Sequence, residues 1–147
     1  MPSRFFPLYN IDLPVGPRMP NKLDDVLLVQ ALFIEVSRFD ANDWLRDIPT
    51  ESWSLATSGI FDDTLKQWIW AFQRWELKNF PGAPLKVDGI IHPMPMASPI
   101  DLSVRFKSGR LSTLSLLCNR LWRHNRQAYL KIGDDYHVPW IPDGWDL

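Results

Sequence analysis

Hydrophobic positions in this chain are grouped by its prolines, which leave three long proline-free stretches, Asn21–Ile48, Thr50–Phe80 and Ile100–Val138. Helices of any length must lie inside them, because an interior proline removes a backbone hydrogen bond and clashes with the preceding turn. In the first, only Gln30 and Glu35 interrupt the apolar run from Val26 to Val36. That pattern predicts a helix over 23–38, capped by Asn21 or Asp24 and buried on nearly all sides. Residues 41–46 would add a short helical turn. In the second, Leu65, Ile69 and Phe72 recur at helical spacing with Trp68 and Trp75 flanking them, which predicts a helix over 63–78 starting from Asp62 or Asp63. By helical phase Trp70 points away from that core face. Glu76 falls back onto it, where it needs a frayed helix end or a cationic partner. In the third, Leu102, Val104 and Phe106 alternate with polar residues, as Ile11, Leu13 and Val15 do near the start. Both runs read as short strands placed to pair. A long helix over 112–131 should follow, with Leu114, Leu117, Cys118 and Leu121 as its core stripe, extended by Trp122. The tail after it should pack as irregular structure.

Composition narrows this to one mainly α domain spanning 1–147, in which 1–20 and 132–147 are packing arms. With 147 residues and 46% hydrophobic content, the chain can bury a sizeable core. A net charge of −1 without a basic stripe argues against a nucleic-acid partner. Cys118 is the single cysteine and permits no internal disulfide, and the three histidines (His92, His124, His137) are scattered. No metal site or cofactor is therefore expected. No run is long enough to insert in a membrane. The first twenty residues, broken by prolines, lack a secretory h-region, so the expected location is cytoplasmic, or the cell envelope only by a non-classical route.

Two glycine loops carry the most specific signal. Gly59-Ile60-Phe61 runs into a helix ending Phe72-Gln73, and Asp88-Gly89-Ile90-Ile91 is followed by Pro93. Upstream, Val26, Val29, Gln30 and Phe33 fill a V-x-x-L-Q-x-x-L-like pattern. Taken in order, these pieces resemble the small three-helix peptidoglycan-binding domain of bacterial cell-wall enzymes, built from two half-repeats that each feed a loop into a helix. The resemblance covers about 21–93 plus the helix at 112–131. It implies a peptidoglycan-binding-domain-like bundle, enlarged by insertions at Ser37–Ser58 and Met94–Arg110, with a short two-stranded sheet added from the alternating runs. The chain departs from the family pattern at Ser58 (usually Asp), Leu65 (usually Thr), His92 (usually Gly) and Pro95 (usually Thr).

By that resemblance the protein would be a non-catalytic module that binds the glycan strands or stem peptides of the bacterial wall and positions a partner. The alternative is a protein-interaction or adaptor domain on the same scaffold, such as a phage or secretion-system accessory. Of eight tryptophans, Trp70 is the leading ligand candidate because its phase exposes it. Trp44 and Trp53 join it because they sit in the enlarged connection, where binding residues often lie. Asp88 reads first as a turn residue and second as a ligand contact. His92 enters because it replaces a loop glycine. Cys118, on the apolar stripe, reads as a buried small hydrophobe. No catalytic motif for Ser, Cys, metal or nucleotide chemistry is present, and the glutamates (Glu35, Glu51, Glu76) and capping Asp pairs advertise no glycosidase dyad.

Overall fold

The structure, a computed structural model, describes residues 9–94 and 110–136, and of residues 40–42 the backbone alone. It is a helical bundle of α1 (Leu23–Trp44), α2 (Asp63–Asn79), α3 (Thr113–His124) and α4 (Arg126–Asp135). Two 3-10 turns, Leu45–Asp47 and Thr50–Ser52, lie between α1 and α2. The apolar wrap of α1 explains its place: it packs against α2, α3 and α4 alike. Val26, Leu28, Val29, Leu32, Phe33 and Val36 are all buried.

The helix ends follow capping chemistry. Asp62 accepts the Leu65 N–H at 2.9 Å and starts α2, while Ser112 accepts the Ser115 N–H at 3.2 Å and starts α3. The helix predicted over 112–131 is instead two. At Asn125 the backbone leaves helical geometry (φ −156°, ψ 93°), and its side chain accepts the Ala128 N–H at 3.0 Å, so that it ends α3 and caps α4. α1, in turn, runs beyond 38 and absorbs the predicted extra turn as far as Trp44.

That extension decides the core. Trp44 is fully buried, with its ring centroid 5.4 Å from Trp68 and 5.6 Å from Phe72, and Phe33 packs against all three. The rings meet edge-on or tilted, the arrangement that aromatic quadrupoles favour. The enlarged connection is held over this cluster by the Trp68 indole N–H, which donates to Ser52 C=O at 2.7 Å, and by that of Trp53, which donates to Ile48 C=O at 3.1 Å.

No strand is present among the described residues. The expected alternation near the start is not kept: Ile11 and Val15 are buried, but Leu13, which should share their face, is exposed. Val15, however, pairs with Ile91 through a single antiparallel bridge (2.9 and 2.8 Å). The predicted partner run at 102–106 lies outside the described residues, as does the tail from 137. The arm is secured instead by side chains. Asp25 accepts the N–H groups of Asp12 (3.0 Å) and Leu13 (2.9 Å), and Asn10 brackets the Met94 backbone with two bonds. Tyr9 stacks on Tyr129 at 4.4 Å.

Candidate functional site

Both glycine loops are built in the same way. The Gln30 side chain, fully buried in α1, accepts the Gly59 N–H at 2.9 Å and donates to Ile60 C=O at 3.2 Å. Gln73 in α2 accepts the Gly89 N–H at 2.9 Å and donates to Ile90 C=O at 3.1 Å. Gly59 and Gly89 have φ of 75° and 73°, which suits residues without a Cβ. Each glutamine thus supplies the backbone partners that a buried loop lacks. Gln73 reaches further: it also accepts the Asp88 N–H (3.1 Å) and donates to Thr113 Oγ1 (3.0 Å), joining α2, the second loop and the start of α3.

The second loop forms the floor of a cleft of about 460 Å³. Asp88 and His92 line it, with Oδ2 and Nε2 3.6 Å apart, so the structure brings these two predicted residues together. Asp88 also fulfils its turn role, since Oδ1 accepts the Ile90 N–H at 2.9 Å. Lys86, Arg110 and Thr113 complete the polar lining. None of these three stands out in the sequence: Lys86 sits in the same loop segment as Asp88, and Arg110 and Thr113 come from the run that leads into α3, but no spacing pattern marks them.

Trp70 lies elsewhere, on the outer face of α2, and is 39% exposed as its phase predicted. It borders a groove of about 710 Å³ that also holds Arg46, Asp43, Asp47, Arg74 and Lys78. The Arg74 guanidinium sits 4.4 Å from the Trp70 ring centroid, a cation–π contact that covers one indole face and fixes the ring. Compared with models of known protein families, with curated proteins and with solved structures, the chain matches none.

The other predicted tryptophans do not join them. Trp44 has no exposed surface with which to meet a ligand, which corrects its placement among the candidates: the longer α1 carries it into the core. Trp53 is half-buried against that core. Glu76 finds its cation in Arg120, at 2.8 Å, and Arg120 in turn lies 4.2 Å from the Trp75 ring centroid. Cys118 is fully buried, and desolvation raises its thiol to about 12, so it stays protonated and unreactive. Burial likewise raises the Tyr9 and Tyr129 hydroxyls. Among the described residues no cluster of His, Cys, Asp or Glu is arranged to hold a metal ion, and no helix is long and apolar enough to cross a membrane.

Proposed function

We propose that this protein is a non-catalytic module that binds bacterial peptidoglycan, its glycan strand or stem peptide, and positions a partner there. The observation that carries this reading is the Trp70 groove. It offers an exposed indole, held in place by Arg74, among carboxylates and cations that can hydrogen-bond sugar hydroxyls. A flat, amphipathic ring beside polar groups is the physical requirement for stacking on a sugar face. The repeated glutamine–glycine-loop arrangement supports it, because two loops each closed onto a helix are what the resemblance to peptidoglycan-binding domains leads one to expect.

The test is co-sedimentation of the purified protein with isolated sacculi. Saturable pelleting is expected, weakened roughly fivefold or more by Trp70→Ala with the fold retained. Absence of pelleting at micromolar protein would reject the proposal. The alternative, a protein-interaction domain on this scaffold, draws on Leu23 (58% exposed) and Ile60 (66% exposed), apolar residues at the first glycine loop.

A further inference from the structure

The two glycine loops correspond bond for bond up to the isoleucine, and then they part. Ser58 Oγ accepts the Ile60 N–H at 3.2 Å and receives Gln30 Nε2 at 3.1 Å. Asp88 Oδ1 accepts the Ile90 N–H at 2.9 Å and receives Gln73 Nε2 at 3.2 Å. The next residue is Phe61 in the first loop and Ile91 in the second. Ile91 is fully buried and exchanges both of its backbone bonds with Val15 of the arm, at 2.8 and 2.9 Å. Gly16 then lies so close over Ile90 that an added Cβ would stand 2.8 Å from its Cγ1 and 3.0 Å from the Gly89 carbonyl oxygen. The arm thus caps the second loop. No described segment does the same for the first. The Phe61 N–H and C=O bond to no described residue, and Ile60, the counterpart of Ile90, is 66% exposed. Beside it Leu23, 58% exposed, lies directly against Gly59.

An unpaired backbone donor and acceptor flanked by apolar side chains can take a segment that adds by main-chain pairing. The rim sets the charge of that segment. On residues 22–24 and 58–66, which form this face, Lys22 is already held by Asp12. The exposed carboxylates Asp24, Asp62 and Asp63 therefore outweigh the remaining cation, Lys66. We propose that the first glycine loop docks an extended, basic segment of a separate protein, which pairs with Phe61 as Val15 pairs with Ile91. An aliphatic residue takes the place of Val15, and a glycine follows it, because the close approach over the isoleucine leaves no room for a Cβ. A basic residue beside the glycine meets the acidic rim. The arm's own run Val15-Gly16-Pro17-Arg18 has this pattern, but it is engaged at the second loop. The inference does not rest on wall binding.

The experiment is a titration of the full chain with N-acetyl-Leu-Pro-Val-Gly-Pro-Arg-Met-amide, the sequence of residues 13–19 supplied in trans, followed by backbone amide shifts. Saturable shifts are expected at residues 58–63, largest at the Phe61 amide, with those of 89–92 unmoved. The same peptide carrying Gly16→Val should not saturate. Ile60→Asp replaces an exposed side chain, so the fold should persist, and it should weaken binding by about fivefold or more. Asp63→Asn should weaken it by about twofold, an effect lost at high salt. No saturation, shifts at 89–92 instead, equal binding of the valine peptide, or indifference to both substitutions would overturn the proposal. Dimerisation of the full chain that Ile60→Asp abolishes would assign the loop to a second copy, and would overturn it too. Failure to pellet with sacculi would remove the wall reading and leave this titration unaffected.

Discussion

A Cβ added at Gly133 would lie 2.7 Å from the Tyr9 hydroxyl and 3.2 Å from its ring carbons. Tyr9 cannot withdraw, being fully buried, stacked on Tyr129 and bonded to the Gly133 N–H at 3.1 Å. Alanine in a helix is worth about 1 kcal/mol over glycine. Overpacking a close-packed site costs about 1–3 kcal/mol, and the Tyr9 bond would be strained as well. The packing term should win, so Gly133→Ala is expected to destabilise by about 1 kcal/mol. Gly82→Ala, where a Cβ meets nothing within 4 Å, should leave the urea midpoint nearly unchanged. A raised midpoint for Gly133→Ala would mean that Tyr9 is held less firmly than its contacts indicate.

Between elements, the Glu76–Arg120 pair ties α2 to α3. Glu76 is almost wholly buried, whereas Arg120 is partly exposed and packs on Trp75. Arg120→Met should therefore cost about 3 kcal/mol, because it leaves a buried carboxylate without this cation while keeping most of the side-chain volume. Adding Glu76→Leu should recover most of that loss, and chemical denaturation of the four members of the cycle measures it. If the single substitutions were additive, the pair would contribute no coupling.

Legibility of the elements follows the range of the interactions that make them. The apolar wrap of α1, the stripe of α2 and the start of α2 at Asp62 are local patterns and can be read directly. So can the outward phase of Trp70. The break at Asn125 was masked because Tyr129 and Ile132 prolong the stripe of α3, although an asparagine at a cap position was there to be read. The burial of Trp44 depends on α1 continuing past residue 38, which no local pattern there marks. At the site, Asp88 and His92 fall in one short segment and were found together. Lys86 shares that segment but carries no distinguishing pattern, Arg110 and Thr113 join it only through tertiary folding, and the bonds that Gln73 makes to both sides of the cleft have no signature in spacing.

For the molecule as a whole, the buried hydroxyl and thiol groups where the arm meets α3 and α4 set the alkaline limit. Cys118, Tyr9 and Tyr129 all ionise later in the folded protein than in the unfolded chain, because burial disfavours the charged form. Between the ordinary thiol value of 9.0 and about 12, the unfolded chain holds fewer protons than the folded one, so stability falls as pH rises. The contribution is fully present below about pH 9. The urea midpoint should thus be lower at about pH 10.5 than at about pH 8, and Cys118→Ala should flatten part of the slope. A midpoint independent of pH in that window would show that these groups are not desolvated.

The docking of the arm on α4 also sets an order of events. Tyr9 bonds to Tyr129 across 120 residues of sequence, while α3 and α4 are neighbours and α1 and α2 are separated only by residues 45–62. Closing so large a loop yields nothing until the final contact forms. The helices can therefore assemble before residues 9–15 clasp them, and a change at Tyr9 would act on how quickly the protein comes apart rather than on how quickly it forms.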